Sequence, residues 1–311
     1  MINENNINSF LNKYIDFVNN ISNNNNYQEN IKHVLYLIIP AFVVKYGFKY
    51  ENLILKAFNE TPIVLNNHEM GNCTAFFSRI IKENKEGLPK YYTQKLIVLN
   101  NYNNYSLIDL LDNIAHEFNH VINSLINEIK YDDESVSMRT GLSYITYNIN
   151  DLSKPSGKSE DVILEEIINT KQTEDVLKII KSFSNYKIEN VEFENALYAV
   201  NSLIKDDYSS NAYFLQSYIC KELMRNKTFI PTIENLRLNG NTDDIEHWFD
   251  DITNIKKSYQ KLIALLNEIV SLEEKTGKNS IFKKYYINKI RQKMRDVQEI
   301  VNEFENNCIF K

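Results

Sequence analysis

From Ser106 to about Ile129 apolar residues recur at helical spacing: Leu107, Leu111, Ile114, Phe118, Val121 and Leu125. One stripe of that kind has to be buried against a second layer of structure. Ser106 followed by Asp109 is a capping-box variant and marks the start. The opposite face carries His116, Glu117 and His120, with Asn113, Asn123 and Asn127 extending the polar stripe. A helix with two such faces requires an apolar layer on one side and a polar cleft on the other. The fold must supply both.

The segments around it suggest the layer. Thr61 to Leu65, Cys73 to Ile81 and Tyr91 to Leu99 are rich in β-branched and aromatic residues, and the turn cluster Asn84 to Pro89 separates the last two. They predict a small antiparallel sheet ahead of the helix. Residues 2–22 and 29–46 predict two opening helices. Beyond the central helix, Met138 to Ile149 reads as a strand or turn, and Asp151 to Ser159, with Pro155 and Gly157, as a loop. A helix is expected from about Glu160 to Lys171, and Thr173 as the N-cap of the next one. From about residue 190 onward the pattern is helical, ending in an amphipathic pair over Ile252 to Asn306. The expected fold class is α+β. A mixed N-terminal lobe (1–150) carries the central helix, and a mostly helical lobe (151–311) follows.

Composition narrows the function classes. Seven Gly and five Pro in 311 residues exclude collagen-like and Pro/Gly linker proteins and weigh against a fold built on glycine loops. A net charge of -6 gives no electrostatic reason to expect nucleic acid or an anionic membrane as partner. Met1 to Ser22 is polar and Asn-rich, without a secretory pattern. The most apolar run, Val34 to Val44, is short for a membrane span and contains Pro40. Cys73, Cys220 and Cys308 are odd in number and far apart, so they read as reduced thiols. The expected compartment is the cytoplasm.

His116-Glu117-Phe118-Asn119-His120 is an H-E-x-x-H sequence. Residues i and i+4 lie one helical turn apart on one face, so two imidazoles there can share a metal ion. The Glu between them stands beside that metal and can take a proton from its water. Zinc suits imidazole ligands. A solvated helix face that happens to carry two His is the bland alternative.

A site needs a third ligand. The extended pattern with Gly and a third His is excluded, because the chain has Asn123 and Ile126 at those positions, and His33, His68 and His247 lie in no supporting pattern. A carboxylate from a second helix completes a His/His/Glu set. Glu165 and Glu166, 45 and 46 residues beyond His120, supply two candidates. Adjacent helical residues diverge by about 100°, so only one can serve. Glu166, Asn169 and Thr173 form a polar stripe, and Glu165 points elsewhere.

These residues resemble the gluzincin zinc metallopeptidases, and the H-E-F-x-H form with its long gap is similar to their lethal-factor-like branch. The resemblance covers roughly residues 90–175. It implies one zinc ion per chain, held by His116, His120 and one Glu, with Glu117 as general base and a peptide or protein as substrate. A polar residue three positions after the glutamate ligand fits Glu166 with Asn169, whereas the lethal-factor-like spacing favours Glu165, the runner-up. The chain departs from the family in having Thr170, not Asp, four residues after Glu166. Tyr144 and Tyr147 are the candidates for stabilising the oxyanion, as the family often uses Tyr or His there. Two other functions fit the same residues: a zincin-like regulatory metalloprotein acting on a single partner, and a metal-free helical interaction protein. No nucleic acid and no membrane span are expected.

Overall fold

The computed structural model describes residues 6–66, 75–85, 87, 89–100, 104–158, 161–204, 214–223, 227–243, 245–278 and 282–309. The expected strand start at Cys73, His68, Glu86 and Leu88 of the turn cluster, and the expected loop end at Ser159 and helix start at Glu160 lie outside them. The protein is α+β, with eleven helices and two small sheets among the described residues. It divides into two units, residues 1–125 with 172–210 and residues 126–171 with 211–311.

In the first unit, α1 (Ile7–Asn25), α2 (Glu29–Tyr46) and α3 (Glu51–Glu60) precede a three-stranded sheet. α2 runs through Pro40 without a break, and every residue from Val34 to Val43 is buried. Burial of that apolar length offsets the hydrogen bond a proline forfeits. The strands are β1 (Ile63–Asn66), β2 (Ala75–Glu83) and β3 (Tyr91–Asn100), in the order β1-β3-β2. β2 pairs antiparallel with β3, Ala75 opposite Leu99 and Glu83 opposite Tyr91. β1 pairs parallel with β3, which corrects the purely antiparallel expectation. A parallel pair needs a long crossover between its strands, and here β2 lies in that connection.

α4 (Leu107–Ser124) packs on β2 and β3. Its capping box is complete, with Ser106 Oγ accepting from the Asp109 amide and the Asp109 carboxylate accepting from the Ser106 amide. Phe118 stacks on Phe58 of α3 with ring centroids 3.8 Å apart, and Phe58 meets Phe42 of α2 edge-on. α4 ends at Ser124, short of the expected Ile129. Ile129–Tyr131 instead form β4, and Asn127 adopts a left-handed conformation (φ 54°) off the helix.

In the second unit, β4, β5 (Ser135–Thr140), β6 (Ser143–Asn148) and β7 (Asp151–Lys158) form an antiparallel meander. Residues 151–158, expected as a loop, are an edge strand. Pro155 and Gly157 are tolerated there because β7 has a partner on one side only. The register shifts around Tyr147 absorb the irregularity. α5 (Val162–Phe183) is one helix of 22 residues, so Thr173 lies inside it and caps nothing. The remaining helices of this unit are α7 (Phe214–Leu223), α8 (Phe229–Asn239), α9 (Ile245–Thr253), α10 (Ser258–Lys278) and α11 (Lys283–Ile309); α6 (Val191–Asn201) belongs to the first unit. Leu164, Ile167 and Ile168 of α5 join Ile233, Phe249, Leu266, Val297 and Phe304 in the core of the second unit.

Lys130 of β4 pairs with Asp243, which also accepts from the Tyr144 hydroxyl at 2.7 Å. Burial pushes the Asp243 carboxyl up, but the hydrogen bonds from Lys130 and Tyr144 outweigh it and hold it below the usual range. A depressed carboxylate stabilises above its ordinary titration and loses that contribution as pH falls through the lowered value. Asp243→Asn should therefore destabilise the protein slightly at neutral pH, by under about 1 kcal/mol for so exposed a pair. The difference should shrink below about pH 4, as thermal melts at stepped pH will read.

Candidate metal centre

The H-E-x-x-H sequence sits mid-helix in α4, where the cap and the Phe118 packing fix its rotation. Leu110 to Ser124 are all buried, with His116 at 1%, Glu117 at 4% and His120 at 6% exposure. α4 is amphipathic as expected, but its polar face is buried and not open to solvent. Buried polar groups need partners, and α4 finds them on α2 and α5. Tyr46 donates to Asn119 Oδ1 at 2.6 Å, and Asn119 Nδ2 donates to Thr173 Oγ1 at 3.0 Å. Asn123 Nδ2 donates to Gln172 Oε1 at 2.9 Å. The network fastens the face bearing the histidines to the helix bearing the glutamates. Asn119→Ala would take away the acceptor of the Tyr46 hydroxyl and the donor to Thr173, and should cost about 1–3 kcal/mol in a denaturation experiment.

Glu166 lies seven residues before Thr173 on α5. Seven residues are two turns less about 20°, so both occupy one stripe of the helix. His116, His120 and Glu166 each offer one ligand atom, and these atoms lie within 4.8 Å of one another. The two imidazoles cross edge to face with centroids 5.1 Å apart. A tetrahedral zinc with bonds of about 2.0–2.2 Å holds its donors roughly 3.4 Å apart. Two neutral nitrogen donors and one carboxylate are also the chemistry of a three-ligand zinc site.

The adjacent glutamate serves another purpose. Glu165 is 1% exposed, ion-paired with Arg237 of α8, and accepts from the Leu142 amide at 2.8 Å. Beside it Arg139, fully buried, donates to the carbonyls of Ile126, Gly141 and Arg237. Gly141 turns the chain at φ 55°, and a Cβ there would lie 2.0 Å from the Glu165 carboxylate. Only glycine allows that approach. The 100° between consecutive helical residues sends Glu165 into this cluster and Glu166 toward the histidines.

The tyrosine candidates both stand on β6. Tyr144 is half-buried with its hydroxyl committed to Asp243, and its phenol is held above the ordinary range, by burial first and by that carboxylate. Tyr147 is half-buried and paired with Val136 and Pro155 where the register slips. Among the other histidines, His33 lies 3.1 Å from Glu29 on α2 and His247 is exposed on α9. The Asn119–Asn123 network and the Glu165–Arg237 pair were not foreseen from sequence. Their partners are far along the chain, and no spacing rule points to them.

No family model, no curated protein and no solved structure matches this chain.

Proposed function

We propose that the chain is a zinc-dependent metallopeptidase with a zincin-like arrangement, holding one zinc ion on His116, His120 and Glu166. The convergence of those three side chains from α4 and α5 carries the reading. Bound zinc supplies Lewis-acid polarisation of a scissile carbonyl and acidifies water. Glu117, one residue along from His116, accepts the proton of the attacking water and passes it to the leaving amine. Asn119 and Asn123, through Thr173 and Gln172, hold the helix faces in register so that the ligand atoms stay within reach. Among the described residues β2 pairs with β3 alone, and its outer edge is where an extended peptide would add as a strand.

The near-complete burial of His116, Glu117 and His120 favours the narrower form of this reading, cleavage or sensing of one partner with little general proteolysis. Elemental analysis of the purified chain tests the proposal. The expected result is one zinc per chain, lost in His120→Ala and Glu166→Ala. Wild-type protein without stoichiometric metal after zinc is supplied would leave a metal-free helical interaction protein. Zinc without cleavage of any peptide library would leave the regulatory metalloprotein.

A further inference from the structure

The net charge of -6 conceals a strong segregation. Between Glu274 and Asp296 stand eight Lys or Arg and no Asp or Glu, in a chain with 35 basic and 41 acidic residues. The rest of the chain is therefore more acidic than the whole. Most of these cations fall on the first half of α11. Lys283, Lys284, Lys289 and Arg291 are exposed there.

Apolar residues share the same end. Phe282 is 56% exposed and Tyr285 53%. Phe282, Tyr285 and Lys289 follow at i, i+3 and i+7, one stripe of the helix, with Lys289 over the Tyr285 ring at 4.8 Å. The core of the unit takes Met294, Val297, Ile300, Val301 and Phe304 from α11, with Ile290 packed at its margin. The two turns before Ile290 place no residue in that core.

The charge also runs against the helix. The first turn of α11 has no acidic residue and holds Lys283 and Lys284, at the positive end of the macrodipole. Across the hairpin, Glu268 is taken by Lys293 at 2.5 Å, leaving exposed Glu273 and Glu274 of α10 as the nearest acidic residues in sequence. A local rule broken at an exposed place, without gain to the fold, points to a partner.

We infer that the N-terminal end of α11 docks on the surface of an anionic phospholipid bilayer. Lysines meet the headgroups, and Phe282 and Tyr285 enter the interface. Charge complementarity selects an anionic surface. The pairing of lysines with exposed aromatic side chains on a single helix end selects lipid, because such a helix lies in the interfacial plane with its rings at the boundary. A single-stranded nucleic acid would lie in a basic groove, whereas these cations stand along one helix beside two exposed rings.

The test is co-sedimentation of the full chain with phosphatidylcholine vesicles, with and without about a third phosphatidylserine. The expected result is binding to the anionic vesicles only, falling as salt is raised from about 0.1 to 1 M. The triple variant Lys283→Gln, Lys284→Gln, Lys289→Gln should lose about a hundredfold in affinity. Tyr285→Ser should lose up to about tenfold. Removing three exposed lysines elsewhere, Lys82, Lys154 and Lys178, should change affinity far less. Equal binding to neutral vesicles, an equal loss in the control triple, or binding to a single-stranded oligonucleotide in place of vesicles would overturn the inference.

Discussion

Glu117→Gln should abolish peptide cleavage, by about a thousandfold or more, while leaving the metal content at one per chain. The substitution keeps the shape of a side chain that is 4% exposed within a fully buried turn of α4. It removes a basic oxygen and adds no volume, so the helix and the ligands on it have no reason to move. General acid–base groups contribute about 10²–10⁴ in rate, and Glu117 is asked to act twice, as acceptor from water and as donor to the leaving amine. With the metal content unchanged, the loss should fall on kcat rather than on zinc stoichiometry. Elemental analysis run beside a cleavage assay separates the two. A variant that keeps full activity would remove Glu117 from the chemistry. One that loses zinc would make it a ligand or a structural support instead.

What could be read from sequence depended on whether the determining residues were neighbours. α4 was legible because its stripe, its cap and its motif all lie within twenty residues. The buried state of its polar face was not, since Tyr46, Gln172 and Thr173, which satisfy Asn119 and Asn123, come from distant segments. β7 was missed because Pro155 and Gly157 carry loop composition, and an edge strand needs fewer backbone donors than a central one. The break expected at Thr173 came from a Thr-Glu-Asp run with cap chemistry, yet the hydroxyl meets Asn119 and α5 continues. Net charge hides the placement of charge in the same way. It averages a basic α11 over an acidic remainder, and only position along the helix reveals the patch.

The largest stability effect should come from Glu165→Gln, and it distinguishes the two adjacent glutamates. Glu165 and Arg237 form an ion pair with both side chains essentially excluded from water. The Glu165 carboxylate also accepts the Leu142 amide, and Arg139 sits beside it with its charge spread over three backbone carbonyls. Burial depresses the Arg139 guanidinium, with Arg237 adding to that and Glu165 opposing it. Removing that carboxylate takes from Arg237 the anion it pairs with and from Arg139 one of the negative groups beside it. Breaking a buried pair from one side costs about 3–5 kcal/mol. For a unit of this size that corresponds to a fall of roughly 10 °C in melting temperature. Glu166→Gln, in contrast, should melt within about 1 kcal/mol of the metal-free wild type, since its expected contribution is to hold the ion. The decisive comparison is made on metal-free protein, where ligand stabilisation is absent from both sides. If Glu165→Gln melts like wild type while Glu166→Gln unfolds early, the roles assigned to the two residues are reversed, and zinc binding should then follow Glu165.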